Sequence, residues 1–277
     1  MSSTLFLVLP SNEYSKLTPL LDGLTHHLTV ISIAAGDTNG TVYVDDPAQP
    51  GAFLCRYQHR LYFGGSAEHP AFNRSLAELF ERDIYPQTLA GGGSALVAYY
   101  DDRENWQVEI EPIGETRLSE RYQRSYYRRT TPVGASSSAL PDGMTIQPID
   151  ETLLKRTSLI GYDELVEELQ SERVSAADFL ERSFGFCALF DDTIAGMCTS
   201  EYNSGTRCEV GINTMEGFRR RGVAKALVGR FVETALARGI CEIGWHCWKA
   251  NLASVATALA AGFEHVRDYP AYVLSLK

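Results

Sequence analysis

The sequence has six cysteines, Cys55, Cys187, Cys198, Cys208, Cys241 and Cys247, and no two are spaced as Cys-x-x-Cys. Structural zinc sites and dithiol redox centres are commonly written at that spacing, so neither is expected, and no metal ligand set is read from the chain. Reduced thiols buried in an intracellular protein are the remaining reading. The first residues lack a basic stretch ahead of an apolar one. No apolar run reaches the ~20 residues that a membrane-crossing helix needs. A soluble, cytoplasmic protein is therefore expected, with no membrane partner. An excess of positive charge is missing too. Lys and Arg number 25 against 35 Asp and Glu, a net charge of −10. Such a surface repels phosphate backbones, so nucleic acid is not an expected partner, and cationic small molecules are favoured. There is no sequence repeat and no long low-complexity segment.

What is present is ample apolar material, 44% of 277 residues, enough for two buried cores. Residues 130–142, TTPVGASSSALPD, are rich in Ser, Pro, Gly and Thr and read as a linker. They divide the chain into an N-terminal α/β domain, 1–129, and a second domain, 143–277.

The second domain is organised around residues 208–264. A strand over 208–214 enters a turn, 215–221. A helix then begins near Gly222 and ends at Gly239. A second strand spans 242–248, and a second helix starts at Asn251 and ends before Gly262. In the first helix Ala224, Leu227, Val228, Phe231 and Ala235 recur at helical spacing. Its start reads Arg219-Arg220-Arg221-Gly222-Val223-Ala224. Glycine lets a backbone or ligand approach closely. A helix start offers about four unpaired N–H groups and roughly half a positive charge. Together these make a site for a diphosphate.

Arg219-x-x-Gly222-x-Ala224, followed by Asn251 and Gly262-Phe263, resembles the signature of the GNAT superfamily of acyl-CoA-dependent N-acetyltransferases. FGFC at 184–187, CEVGINT at 208–214 and WHCWKAN at 245–251 resemble its branch containing the zwittermicin A resistance acetyltransferases. The resemblance implies an α/β fold with a mixed, mostly antiparallel sheet flanked by helices. It implies acetyl-CoA as co-substrate and a primary amine on a small molecule as acceptor, with amino-bearing antibiotics in that class. It also assigns cofactor contacts. Main-chain groups of Ile212, Asn213 and Thr214 pair with the pantetheine arm as an added strand. N–H groups of Arg221, Gly222, Val223 and Ala224 hold the diphosphate beside Arg219 and Arg220. Asn251 is either a contact to the arm or a plain helix cap.

Within 1–129, strands are expected over 4–9, 41–44, 52–57, 60–63, 95–100 and 117–127, with 28–34 a further strand. Helices are expected over 13–21, capped by Ser11, over 72–89 and over 103–110. Gly91-Gly92-Gly93 follows a helix and precedes a strand, the reverse of a phosphate loop. The order resembles that of the second domain, so the N-terminal domain is read as a GNAT-like domain without the cofactor signature. In the second domain a strand over 144–148 precedes helices over 151–156, 162–170 and 176–182, the last capped by Ser175. A hairpin of 185–190 and 193–201 turns at Asp191-Asp192. One or two final strands over 265–274 are interrupted at Pro270.

Acetyl transfer to an amine needs the neutral amine. An alkylammonium of pKa ~10 is only ~0.1% neutral at pH 7, a deficit of ~4 kcal/mol. A base in the site recovers part of it. His246 lies on the second strand, where related enzymes carry a carboxylate, and an imidazole titrates near neutrality. It is either that base or a packed strand histidine. Glu209, on the strand before the signature, is either the base or a structural ion-pair partner. The family's usual tyrosine acid is replaced by Ala258, with Tyr269 and Tyr272 as substitutes or packing residues. That replacement keeps a second reading open, an acyl-CoA-binding sensor without turnover.

Overall fold

The computed structural model describes residues 7–115, 119–130 and 140–276. By internal contacts the chain forms two compact units, Met1–Arg124 with Asp268–Lys277, and Ser125–Arg267. Each contains a mixed, mostly antiparallel sheet flanked by helices.

The first unit opens with a 3-10 helix, Ser11–Leu20. Its two buried side chains, Tyr14 and Leu17, are three apart, which suits a three-residue turn, and Pro19 lies inside it. Ser11 does not cap it; Pro10 stands at the N-cap with no side-chain bond. Of the strand expected over 4–9, residues 4–6 lie outside the described ones, and Val8 makes a single bridge to Tyr43. Residues 28–34 are not a strand but helix α1, Leu28–Ala34. Leu28, Thr29, Val30, Ser32, Ile33 and Ala34 are all buried. A short segment buried on every side shows no period, so its β-branched content misleads.

Strands β1 (Thr41–Val44), β2 (Ala52–Tyr57) and β3 (Arg60–Gly65) follow. Helix α2, Pro70–Leu79, passes through one π-helical turn, Phe80–Ile84, into α3, Tyr85–Ala90. The cause is Pro86: it has no N–H for the carbonyl of Arg82, and the wider turn accommodates the missing bond. Strand β4 (Ala95–Tyr100) and helix α4 (Trp106–Glu115) complete this run. Helix α4 starts three residues later than the sequence suggests. Strand β5, Ser119–Arg129, begins in the first unit and ends in the second. The linker expected over 130–142 falls mostly outside the described residues.

In the first unit β3 and β4 are parallel, from Arg60↔Val97 to Phe63↔Tyr100. The helix that follows β3 begins with Pro70 at its first turn. Trp106, fully buried, donates from Nε1 to the Gly65 carbonyl at 3.0 Å and packs on Phe63 and Phe72. That helix start is thus one N–H donor short, and an indole closes the end of β3.

His59 sits beside Arg60 and Arg124. Burial, then those two guanidinium groups, push its pKa down to about 4. The unfolded chain takes up this proton near pH 6.5, the folded chain only near 4. Stability is therefore full above pH 6.5 and falls as the pH drops toward 4, by about 2–3 kcal/mol. A His59→Gln variant is expected to flatten the melting temperature between pH 7 and 4 relative to the parent. Parallel curves would remove His59 as a source of acid sensitivity.

The second unit runs through β6 (Met144–Pro148), α5 (Glu151–Leu154), α6 (Tyr162–Glu172) and α7 (Ala176–Arg182). Asp150 accepts from Leu153 N at 2.8 Å, and Ser175 from Asp178 N at 3.1 Å, the second cap as expected. Strands β7 (Gly185–Phe190) and β8 (Thr193–Ser204) form the hairpin, with Asp191 at φ 51° in the turn. Then come β9 (Arg207–Thr214), α8 (Val223–Ala237), β10 (Glu242–Trp248) and α9 (Leu252–Ala260). Within this unit the strand order is β5-β10-β9-β8-β7-β6.

Alternation along these strands feeds two cores. Phe186, Ala188, Cys198, Cys208, Val210, Trp245 and Cys247 cluster with Leu227, Phe231 and Val232 of α8. Cys187, Leu189 and Met197 point the other way, to Leu165, Leu169 and Phe179 of α6 and α7. A sheet apolar on both faces needs a helical layer on each. The last strand, β11 (Glu264–Ser275), is one strand. Pro270 does not interrupt it, because pairing with β4 begins only at Tyr272↔Ala98. Among the described residues no helix is long and apolar enough to cross a membrane.

Candidate functional site

Strand β9 carries the site. One edge pairs with β8 along most of its length, Gly196↔Thr214 to Ser204↔Arg207. The other edge pairs with β10, in parallel, over Arg207↔Glu242, Cys208↔Ile243 and Glu209↔Gly244 only. From residue 210 onward that edge diverges from β10, leaving an edge suited to an extended ligand. Ile212, Asn213 and Thr214 lie on it. The Thr214 Oγ1 is buried and has no hydrogen-bond partner among the described residues.

A tight loop follows β9. Phe218 N donates to Met215 O at 2.9 Å, and Arg219 Nε donates to Thr214 O at 3.1 Å. The Arg219 side chain therefore braces the loop. Arg220 has φ 61°, an unusual backbone for a residue other than glycine, and Arg221 lies over the Phe218 ring at 5.5 Å. All three arginines are exposed. Gly222 stands at the N-cap of α8 with φ 85° and no side-chain cap. A Cβ there would meet nothing within 4 Å, so backbone conformation, not crowding, calls for glycine. The first helical bond runs from Ala226 N to Gly222 O at 3.1 Å. Val223 is buried against the sheet, Ala224 half-buried. This uncapped helix start, free of proline and ringed by arginines, fits a diphosphate; the start of α2 in the first unit does not.

Asn251 Oδ1 accepts from Ser254 N at 3.1 Å, so it caps α9. Trp245 is buried, donates from Nε1 to Ser254 Oγ at 3.0 Å, and stands edge-on to Phe263. Ala258 is fully buried. Tyr269 and Tyr272 both belong to the first unit. Tyr269 packs against His26 and His27, and Tyr272 donates to Glu111 at 2.7 Å. Burial, then the Glu111 bond, raise the Tyr272 pKa well above the usual phenol value.

The two candidate bases meet. His246 Nε2 is 3.3 Å from Glu209 Oε1, and their side chains are 11% and 7% exposed. That is low enough for a carboxylate to need a partner. Both lie on the sheet face opposite Trp245 and Cys247, as strand alternation requires. A third side chain joins them. The Tyr126 ring, on β5, stacks on the His246 ring with centroids 4.7 Å apart and planes 25° apart. Burial, then Glu209 and Glu242, raise the Tyr126 pKa to about 12. Further along this face, the Glu201 carboxylate and Thr199 hydroxyl lie over Gly211. Sequence reasoning misses Tyr126 and Glu201, because neither belongs to a motif. Among the described residues no group of three or more His, Cys, Asp or Glu side chains could hold a metal.

Comparison with known proteins converges on one family. A family model for GNAT acetyltransferases matches residues 18–272. The uncharacterized N-acetyltransferase YdfB of Bacillus subtilis (strain 168) is 26% identical over 271 residues, covering 95% of this chain and 97% of the relative. A GCN5-related N-acetyltransferase-like protein from Streptococcus suis shares the fold, with TM-score 0.71 and 20% identity over 95% of this chain and 99% of that one. A tandem GNAT protein from the clavulanic acid biosynthesis pathway aligns at TM-score 0.62 and 11% identity, over 99% of this chain and 98% of its own.

Proposed function

The chain belongs to the GNAT acetyltransferase family, and from that premise we propose that it moves an acetyl group from acetyl-CoA to a primary amine on a small molecule. The observation that carries this reading is the His246–Glu209 pair, 3.3 Å apart, set where β9 and β10 cease to pair. When bound, acetyl-CoA supplies a thioester acyl group already activated toward an amine. The open edge at Ile212, Asn213 and Thr214 takes the pantetheine arm as an added strand. N–H groups of Arg221, Gly222, Val223 and Ala224 take the diphosphate, with Arg220 beside them. Arg219 holds the loop in shape through Thr214 O. Asn251, as the cap of α9, fixes the start of the neighbouring helix.

His246 is the base. With its Nε2 proton donated to Glu209, Nδ1 keeps a lone pair and takes the proton that the acceptor ammonium must lose. The carboxylate also stabilises the imidazolium that results. Glu209 and Glu201 lend the same face negative charge, which draws a cationic acceptor. Amino-bearing antibiotics fall in this class, and a cytoplasmic enzyme would meet them there.

The test is an amine library incubated with acetyl-CoA and a thiol-detecting reagent. Thiol release with a defined class of small primary amines is expected. Binding of acetyl-CoA with no release for any amine would leave the sensor reading in its place. Calorimetric titration of the full chain is expected to give one CoA per chain, because α2 begins at Pro70 and the end of β3 is closed by Trp106. Two sites per chain would refute that contrast.

A further inference from the structure

We propose that Tyr126 and Gly244 form a clamp that fixes the His246 ring, which makes both positioning residues for the base. The proposal rests on the reading of His246 given above.

An imidazole on a strand has two torsions to settle. The Glu209 contact, at 3.3 Å, holds one ring nitrogen, and a contact at a single atom does not by itself set the plane of a ring. The Tyr126 ring sets that plane, a flat surface lying nearly parallel to the imidazole at stacking distance. Tyr126 is itself buried and reaches this place from β5, the strand beside β10. Nothing about β5 alone brings the two rings together.

Gly244 permits the approach. It pairs with Glu209 across the parallel ladder and sits two residues before His246, on the same face. A Cβ at this position would lie 3.1 Å from Glu209 Cγ, 3.1 Å from Tyr126 Cε2 and 3.4 Å from Tyr126 Oη. Two of those contacts are tighter than side chains ordinarily accept, and both neighbours would have to retreat. The neighbours are the two groups that hold His246, one at its face and one at its edge. The absent side chain is thus what lets the carboxylate and phenol converge.

The ring of Tyr126, not its hydroxyl, does this work. With its pKa raised to about 12, the phenol stays neutral throughout the range in which an imidazole titrates, so the clamp does not change charge as His246 takes up a proton. A phenol held so weakly acidic is also poorly suited to protonate a leaving thiolate.

Three full-length variants test the clamp, read by steady-state kinetics on an acceptor amine and by the ¹⁵N shifts of the His246 ring, which report its tautomer. Tyr126→Phe keeps the stacking surface and is expected to stay within about threefold of the parent. Tyr126→Leu keeps apolar bulk without the ring, and Gly244→Ala adds the excluded Cβ. Both are expected to lower kcat by roughly 10–100-fold, the scale of a misplaced catalytic group. KM for acetyl-CoA should be unchanged, and the two His246 nitrogen shifts should move toward each other as the tautomer averages. Parent-like kcat and shifts in Tyr126→Leu would overturn the proposal. So would Tyr126→Phe falling as far as Tyr126→Leu, since that would assign the role to the hydroxyl. If His246→Ala keeps full activity the base reading fails, and the nitrogen shifts of Tyr126→Leu and Gly244→Ala still decide whether the ring is clamped.

Discussion

Replacing His246 with alanine is expected to lower kcat/KM for the acceptor amine by roughly 10²–10⁴-fold, the usual span for lost general-base work. The loss should sit in kcat, with acetyl-CoA affinity nearly unchanged, because the proton moves only in the transition state. Glu209→Gln should cost less, since an amide still accepts from Nε2 while the stabilising charge is gone. The pair lies 3.3 Å apart, and both side chains are largely withdrawn from water, so the two substitutions are expected to be non-additive. If His246→Ala keeps full activity while Glu209→Gln abolishes it, the base is Glu209 and His246 is a packing residue.

Gly222→Asp should remove measurable acetyl-CoA binding. Two effects combine. The residue has φ 85°, a left-handed backbone that costs an ordinary L-residue roughly 1–2 kcal/mol. The new carboxylate also points a like charge at the place proposed for the diphosphate, at a helix start that otherwise favours anions. Gly222→Asn separates the two, because asparagine meets the same left-handed backbone as aspartate at nearly the same size and carries no charge. In calorimetry the parent should bind, the asparagine variant should bind more weakly, and the aspartate variant should give no heat of binding. Equal affinities in parent and Gly222→Asp would show that this loop does not hold the cofactor.

The features that sequence foretells are those written locally. Gly222 and Gly239 bracket α8, and both adopt positive φ. Ser175 is followed three residues later by the N–H it caps, and Asp191 turns its hairpin. The helical spacing of Leu227, Val228 and Phe231 emerges as the buried face of α8. What sequence hides depends on distant neighbours. Helix α1 reads as a strand because its environment, not its own pattern, buries every side of it. The π-helical turn before Pro86 is invisible in a run that otherwise reads as continuous helix. Tyr126 lies in RYQRSYYRR, a segment of charge and aromatics with no apolar alternation. Its importance comes from Gly244, more than a hundred positions away, leaving room for it.

The division of the chain has a consequence for biosynthesis. The first unit is built from 1–124 and 268–277, with the whole second unit between them in sequence. Its core includes Tyr272, Leu274 and Leu276, and β4 finds its antiparallel neighbour in residues 272–275. At typical translation speeds those residues follow the first segment by on the order of ten seconds. The contiguous second unit has all its own strands by then. The first waits with one sheet edge bare, the kind of edge that recruits other chains. A nascent chain halted near residue 260 should therefore bind holdase chaperones through its first unit. Adding the last strand should release them, although most of that unit left the ribosome long before.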